Sequence, residues 1–497
     1  MKGSGGPLQP ENDKQLRNKV LFFLGTYFLA NLVLRILISP SLAFDESEMV
    51  IATQVMAWGY SNPPPLYPWI QAAFFSVFGV NLFVLALVKN LLLFGIYFSV
   101  YLCSKEVLRD QKAALVASLS LLLIPTFAWE ALRSQSHSVL ATLMASLTLL
   151  LFLRLLKKPS LWNYIGLGLA AGLGILSYYN FALFAGALGL ASLSTSIGRK
   201  RLFSWKSGLS FLVFAAVLIP HGYWFLQNHS YLSELVTKLA PDGSAGTFMP
   251  IAGGLLSLFL AVGSFFGLLI VCFYLFLRGS DRAEELRKGV EVSSILGRTI
   301  GIALLFCVLV VVITDATQFK DRWLEPLLFF VPIYFLAIAE RRVNRSVFRK
   351  FAIVTSVIAL LALTILHVRI PMAGLFDKVL PLNYPTPDIA DRLRKAGFSE
   401  GTIVAEHQVL GGNMRLSFPT SQVIVPFKME NIRPDDRSII VVWDQVQGEA
   451  IPEFLAGFVS SKFSVDPSGV EPGLASAPCL YARQKEATLM YAQLREP

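Results

Sequence analysis

Asp45 and Glu46 stand side by side directly after the first long apolar run, and a little further on the chain reads Gly59-Tyr60-Ser61-Asn62-Pro63-Pro64-Pro65-Leu66-Tyr67. A carboxylate in such a place can act as a general base, ligate a hard cation or cap a helix. Proline fixes backbone angles, so residues 44–70 read as a stiff, preorganised loop. An acid pair held by a stiff, aromatic-rich loop at the end of an apolar run is the arrangement expected of a reactive centre in a membrane enzyme. The capping alternative uses Asp45 or Glu46 at the start of a helix carrying Met49, Val50 and Val55. No complete ligand set accompanies the two acids, so neither a metal nor a cofactor is expected.

The elements that must position this loop are membrane helices. The chain is 54% hydrophobic and 15% charged, with a mean hydropathy of +0.58. That exceeds what one globular core needs and points to a polytopic membrane protein. Runs at 20–38, 80–103, 112–128, 137–156, 162–178, 180–197, 207–226, 251–277, 299–314, 324–339 and 351–367 each approach the length of a span. The expected architecture is an all-α polytopic membrane domain of about 11 to 13 transmembrane helices. The aromatic run 65–79 is short and reads as an interfacial helix.

Basic residues set the orientation. Lys14, Arg17 and Lys19, the links holding Lys105, Arg109 and Lys112 and holding Arg154, Lys157 and Lys158, and the runs Arg199–Lys206 and Arg341–Lys350 fall on one side, which is then cytoplasmic. The Asp45 loop, the turns near Glu130 and Tyr178, the loops 227–250 and 315–323, and everything after His367 fall on the other. The formal charge of +10 is spread through these short clusters, which suits topology and anionic lipid and argues against nucleic acid. Cys479 is alone in the hydrophilic tail, so that part has no internal disulfide, and no cysteine spacing suggests zinc.

Three segments follow: a cytoplasmic tail at 1–19, a membrane domain at 20–367 with a catalytic outer loop at 40–79, and a small extracytoplasmic α/β domain at 368–497, taken as accessory. In the last, Thr386-Pro387-Asp388 through Ala396-Gly397 has helix start and stop signals, and β-rich runs lie at 402–406, 421–427, 438–443 and 478–483. Cytoplasmic segments are too short for a nucleotide-binding domain, and no Gly-x-x-x-x-Gly-Lys loop is present. An activated donor for group transfer should therefore be available in the membrane.

Asp45-Glu46 with Pro64-Pro65-Leu66-Tyr67 resembles the first outer loop of the C-type membrane glycosyltransferases, in the branch similar to protein mannosyltransferases and bacterial lipid A sugar transferases. Four further segments resemble members that decorate lipopolysaccharide: Trp129-Glu130-Ala131-Leu132-Arg133 with Ser136-His137-Ser138, Tyr179-Asn180-Phe181-Ala182-Leu183-Phe184, Pro220-His221-Gly222-Tyr223-Trp224, and Lys320-Asp321-Arg322-Trp323-Leu324-Glu325-Pro326. Gly411-Gly412-Asn413-Met414-Arg415 extends the likeness weakly into the tail. Two positions depart: Asn62-Pro63 stands where many relatives have an acidic or strongly polar residue before the double proline, and Tyr178 stands where many have lysine.

The resemblance implies inverting transfer of one sugar from a polyprenyl-phosphate donor to lipid A or lipopolysaccharide core, on the periplasmic face of a bacterial inner membrane. Asp45 is then the candidate base, with Glu46 beside it. Lys320, Arg322 and Arg133 are the candidate cations for the leaving phosphate; their alternatives are snorkelling and ion pairs with Asp315, Asp321 or Glu325. Tyr60, Asn62, Tyr67, His137, Tyr179, Asn180 and His221 are candidate substrate contacts. His137, four residues after Arg133, is expected on the same helical face, and Glu130 is placed to neutralise Arg133. Trp58, Tyr60, Tyr67 and Trp69 could stack on a sugar, although an interfacial aromatic belt accounts for them as well. The rival readings are a transporter or lipid flippase built on broken helices, and sugar transfer to protein.

Overall fold

The computed structural model describes residues 10–60, 64–228, 248–278, 290–339, 343–376, 378–426, 438–467 and 469–495. Asn62, Arg341, Arg342 and most of the loop 227–250 lie outside the described residues. The chain divides into two compact units, one formed by 1–30 and 90–362, the other by 31–89 and 363–497.

Every apolar run forms helix. Among the described residues, seven helices are long and apolar enough to cross a membrane, and up to ten if each of three bent pairs is one span. The bent pairs are Gln111–Leu123 with Thr126–Arg133 (75°), Phe181–Leu193 with Ser196–Leu202 (116°), and Asp321–Leu328 with Val331–Ala339 (52°). The run at 162–178 is the 17-residue helix Leu161–Ser177, and the interfacial run is the 13-residue helix Leu66–Phe78. Two of the bends have local causes. Pro125 interrupts the first pair, and Thr195 starts a new helix by accepting a hydrogen bond from the Gly198 amide in the second.

In the first unit, small residues bring two helices to near backbone contact. Gly168 of Leu161–Ser177 lies where any Cβ would collide with the Ser210 carbonyl of Lys206–Gln227, and a Cβ on Gly172, one turn on, would sit 2.9 Å from Val217 Cβ. Spacing small residues by four gives one flat stripe, the usual means of close helix packing in lipid.

The second unit contains the α/β domain. Its sheet has the order β2-β1-β3-β5-β4, with β1 Thr402–Ala405, β2 Gln422–Ile424, β3 Ile439–Asp444, β4 Gly473–Cys479 and β5 Ala482–Arg495. β1 runs parallel to β2 and β3, while β5 is antiparallel to β3 and β4. Alternating strand residues feed two cores. Ile403, Ala405, Ile440 and Val442 meet Ile389, Leu393, Leu410 and Met414 of the helices Thr386–Lys395 and Gln408–Ser417. Val404, Val441 and Trp443 meet Leu455 and Val459 of the helix Glu453–Phe463 on the other face.

The expected helix and the first three β-rich runs are present. The run at 478–483 holds the end of β4 and the start of β5, joined by a two-residue turn at Leu480 and Tyr481, with Tyr481 in the left-handed region at φ 62°. The two strands extend away from it. The loop expected at 40–79 groups with this sheet, and Ile51 from it is part of the first core.

Gly168→Ala should lower stability by about 1–3 kcal/mol, the usual cost of forcing atoms into a filled interface. Thermal unfolding in detergent should show a lower midpoint, and an unchanged midpoint would contradict the close packing.

Candidate active site

In the second unit, Phe44–Ala52 forms a nine-residue helix with Asp45 and Glu46 in its first turn. Acidic side chains there complement the helix dipole. Glu46 does the capping: its Oε2 accepts the Ala43 amide at 2.8 Å. Arg35 grips the same carboxylate, Nε to Oε1 at 2.9 Å and Nη2 to Oε2 at 2.6 Å, and donates also to the Ser39 and Ser41 carbonyls at 2.8 and 2.6 Å. Burial pushes the Glu46 carboxyl up, but the Arg35 charge and hydrogen bond, the Ala43 amide and the Lys89 charge together outweigh it and hold it below the usual carboxylate range. Asp45, next to it, is half-buried.

Side chains further along the loop mostly brace it. Tyr60 donates its hydroxyl to the Val55 carbonyl at 2.8 Å, and Trp69 Nε1 donates to the Ala57 carbonyl at 2.8 Å. Trp58 packs edge-on to Trp69 with centroids 5.8 Å apart. Tyr67 is buried, whereas Trp58 is exposed.

In the first unit, Arg133, Lys320 and Arg322 line one cavity of about 460 Å³ with Glu130, Gln135, Ser257 and Ser264. The three cations singled out by sequence are thus brought together. Arg133 pairs with Glu130 at 2.9 Å, both partly exposed. Burial pulls the Lys320 ammonium below its ordinary range, and the neighbouring Arg322 charge acts in the same direction. Ser257 accepts the Phe319 amide at 2.7 Å, and Asp321 accepts the Arg322 amide at 2.8 Å, which fixes the turn carrying both cations. Asn180 donates to the Trp323 carbonyl at 3.3 Å, so it buttresses that turn from the next helix.

Gln135, which lines this cavity, adopts left-handed backbone at φ 75°, a conformation with a cost that tends to persist where a site requires it. Gln135 overturns one expectation. Ser134 is extended and Gln135 left-handed, so Arg133 and His137 belong to separate helices and do not share a face. With its amide in the orientation that satisfies hydrogen bonding, Gln135 donates to Glu325 Oε2 at 3.2 Å; Glu325 is fully buried. His137 is also buried. Tyr179 meets His221 Nε2 at 3.1 Å with the rings stacked 6.0 Å apart, and burial pushes the Tyr179 hydroxyl up to about 12. His221 lies in one helix that runs through Pro220 from Lys206 to Gln227.

Sequence reasoning missed Arg35, Lys89 and Gln135, and it named Glu325 only as an ion-pair partner for the cations, not as the partner of Gln135. The first two had a signal: each is a single cation in an apolar run, and such residues are rarely there without a partner. A further cluster, Glu406, His407 and Asp444, lies at the ends of β1 and β3. His407 Nδ1 accepts the Leu410 amide at 3.3 Å and Nε2 meets Asp444 Oδ2 at 3.0 Å. The proton therefore resides on Nε2, a hydrogen-bond donor arrangement.

A family model described as dolichyl-phosphate-mannose-protein mannosyltransferase matches residues 62–224. The lipopolysaccharide core galacturonosyltransferase RgtB of Rhizobium johnstonii is 32% identical over 496 residues, covering 98% of this chain and 99% of that protein. The lipopolysaccharide core galacturonosyltransferase RgtA of the same organism is 31% identical over 485 residues, covering 95% and 96%. Among solved structures, ArnT from Cupriavidus metallidurans bound to undecaprenyl phosphate matches with a TM-score of 0.63 at 13% identity, over 97% of this chain and 99% of that one. At that identity the likeness is one of fold.

Glu46→Gln should destabilise the protein by on the order of 3 kcal/mol at pH 7, the scale of breaking a buried ion pair. A carboxyl held below its unfolded value contributes stability that is present above that value and lost as pH falls through the lowered one. Unfolding in detergent followed from pH 7 to pH 3 should show this loss in the native protein and a flatter profile in Glu46→Gln. Equal profiles would contradict the role of Arg35 as lock.

Proposed function

We propose that this chain, which belongs to the C-type membrane glycosyltransferases in their lipopolysaccharide-modifying branch, transfers one galacturonosyl residue from a polyprenyl-phosphate donor to lipopolysaccharide core. The reaction is placed on the periplasmic face of the inner membrane. The observation that carries the reading is the end-to-end similarity to two lipopolysaccharide core galacturonosyltransferases. The cation-lined cavity supports the donor assignment, since a uronosyl polyprenyl phosphate brings two anionic groups, the phosphodiester and the sugar carboxylate, to Lys320, Arg322 and Arg133.

In this mechanism Asp45 takes the proton of the acceptor hydroxyl as that oxygen attacks C1 of the sugar. The bond from C1 to the phosphate oxygen breaks on the opposite face, so the configuration inverts, by analogy with inverting glycosidases. The charge that develops on the departing phosphate is stabilised by Lys320 and Arg322, with Arg133 beside them. Fixed cations need no reorganisation at the moment of bond breaking, and the guanidinium fork matches phosphate geometry. Glu46 is assigned a positioning role, because both its oxygens are engaged by Arg35 and the Ala43 amide. Asn180 acts on the cation turn through Trp323, and Tyr179, His137 and His221 remain candidate sugar contacts. Tyr60 and Tyr67 stabilise the loop, which leaves Trp58 as the exposed aromatic for a sugar or for the lipid interface.

Mass spectrometry of lipopolysaccharide from a deletion strain should show the loss of one hexuronic acid residue, restored by the native chain. Asp45→Asn at equal expression should not restore it, and with purified enzyme should lower kcat by about 10²- to 10⁴-fold, the usual contribution of a positioned base. Arg322→Ala should weaken transfer and the binding of polyprenyl phosphate together. An unchanged glycolipid profile accompanied by a lost glycoprotein would redirect the acceptor assignment to protein.

A further inference from the structure

We infer that the C-terminal α/β domain sets the position of the Asp45 carboxylate, with Gly412 and Asn413 as its positioning residues. The inference rests on the reading of Asp45 as the base. It concerns the second unit alone, which holds both the Asp45 helix and the sheet.

The helix Gln408–Ser417 works as a spacer of fixed thickness. On one side, a Cβ on Gly411 would lie 2.8 Å from Val425 Cγ2, 3.2 Å from Val423 Cγ1 and 3.3 Å from Ala405 Cβ, so this helix rests directly on the β1 and β2 side of the sheet. On the other, a Cβ on Gly412 would collide with Ser47 Cβ and lie 2.5 Å from Ser47 Cα. Ser47 is two residues from Asp45. Two adjacent glycines thus let a helix lie between the sheet and the Asp45 helix with no side chain of its own on either side, against the Val423, Val425 and Ala405 side chains on one and Ser47 on the other. Ser47 Cα cannot swing aside as a flexible side chain can, so on that side the separation is set by backbone.

Polar groups pin the ends of the same segment. Asn413 is buried; its Oδ1 accepts the Leu42 amide at 2.9 Å and the Thr386 hydroxyl at 3.0 Å, while its Nδ2 donates to the Val409 carbonyl at 2.8 Å. Gln408 Nε2 donates to the carbonyl of Phe44, the residue before Asp45, at 3.2 Å. Ser41 Oγ donates to the Tyr384 carbonyl at 2.5 Å and meets Thr386 Oγ1 at 2.6 Å. Beyond the helix, Gln54 imitates a strand partner of β2: its Oε1 accepts the Val423 amide at 2.8 Å and its Nε2 donates to the Val423 carbonyl at 2.9 Å. The helix carrying the base is therefore held before, at and after its middle by one domain.

Such bracing matters to a reaction more than to a fold, because a misplacement of about 1 Å can cost roughly 10²-fold in rate. Gly412→Ala is a displacement of that size. Ordinary Cβ contacts begin at 3.4 Å, and Ser47 Cα would stand at 2.5 Å, so the Asp45 helix must move by about 1 Å with no change of charge or polarity.

The test uses the full-length enzyme in nanodiscs, with lipopolysaccharide from the deletion strain as acceptor. Gly412→Ala and Asn413→Ala should lower kcat by about 10- to 100-fold, while donor KM and the affinity for undecaprenyl phosphate stay within about twofold, since the cations are untouched. Val459→Ala, in the core on the opposite face of the sheet, controls for a plain loss of domain stability. A fall in kcat no larger than that of Val459→Ala at a matched thermal midpoint, or an equal loss of undecaprenyl phosphate binding, overturns the inference. Should Gly412→Ala fail to accumulate, Gln408→Ala removes the bond to the Phe44 carbonyl, and an unchanged kcat there is equally decisive against it. Asp45→Asn separates the two readings: transfer that survives it removes the base and the inference with it. A dead Asp45→Asn beside a fully active Gly412→Ala removes the inference alone.

Discussion

Two adjacent carboxylates stand at the start of a nine-residue helix, and the partial burial of Glu46 poses an electrostatic problem that the chain solves with Arg35. Burial alone pushes that carboxyl up, and a matched positive charge keeps it ionised. The Arg35 fork on Glu46 fixes one of the two as an anion and joins it to the Ser39 and Ser41 carbonyls. The short connection between the first helix and the Asp45 helix is thereby folded around a guanidinium. Everything downstream in the loop depends on that corner. Ser41 and Leu42 must present their hydroxyl and amide to Thr386 and Asn413, and the direction of the Asp45 helix is settled before the prolines at 64 and 65 begin the next one.

Much of this was legible in the sequence, for reasons that differ by element. Span-length apolar runs are strong signals because the bilayer imposes a length, and all of them became helix. β1, β2 and β3 were legible as short β-branched runs, being buried on both faces. β5 was not: Ala482-Arg483-Gln484-Lys485-Glu486 interleaves charge with small residues, because its start is a hairpin arm with one face exposed, and the long polar side chains mask the alternation. The break between Arg133 and His137 gave no glycine or proline to announce it, and Gln135 carries the left-handed turn itself. Among the cations, the family resemblance singled out Arg133, Lys320 and Arg322, and their convergence on one cavity is a tertiary fact.

What no local pattern could encode is the pairing of residue 47 with 412, or of 42 with 413. The Gly411-Gly412-Asn413 stretch stood out only as a weak likeness to other sequences. In the structure its composition has a direct cause: side chains of the sheet and the backbone of Ser47 approach on opposite sides of one helix turn, and the next side chain must satisfy a buried amide of a distant loop. On the inference drawn above, a domain taken as accessory for want of a reactive constellation would still act on the reaction, through the position of the Asp45 helix.

The cation cavity follows a complementary logic. Lys320 and Arg322 are held close by a turn whose amides are tied to Ser257 and Asp321, an arrangement that costs free energy through desolvation and like-charge repulsion and shows itself in the lowered proton affinity of Lys320. Under the proposed donor assignment, an arriving phosphate would relieve both costs at once. Arg133 differs in being already matched by Glu130, yet that pair is partly exposed and pairs of this kind contribute little. Exchange of Glu130 for a phosphate oxygen is then nearly neutral for the protein. On the proposed reading, a partly desolvated ammonium beside two guanidiniums, one of them weakly committed to Glu130, suits a ligand whose charge grows as its bond breaks.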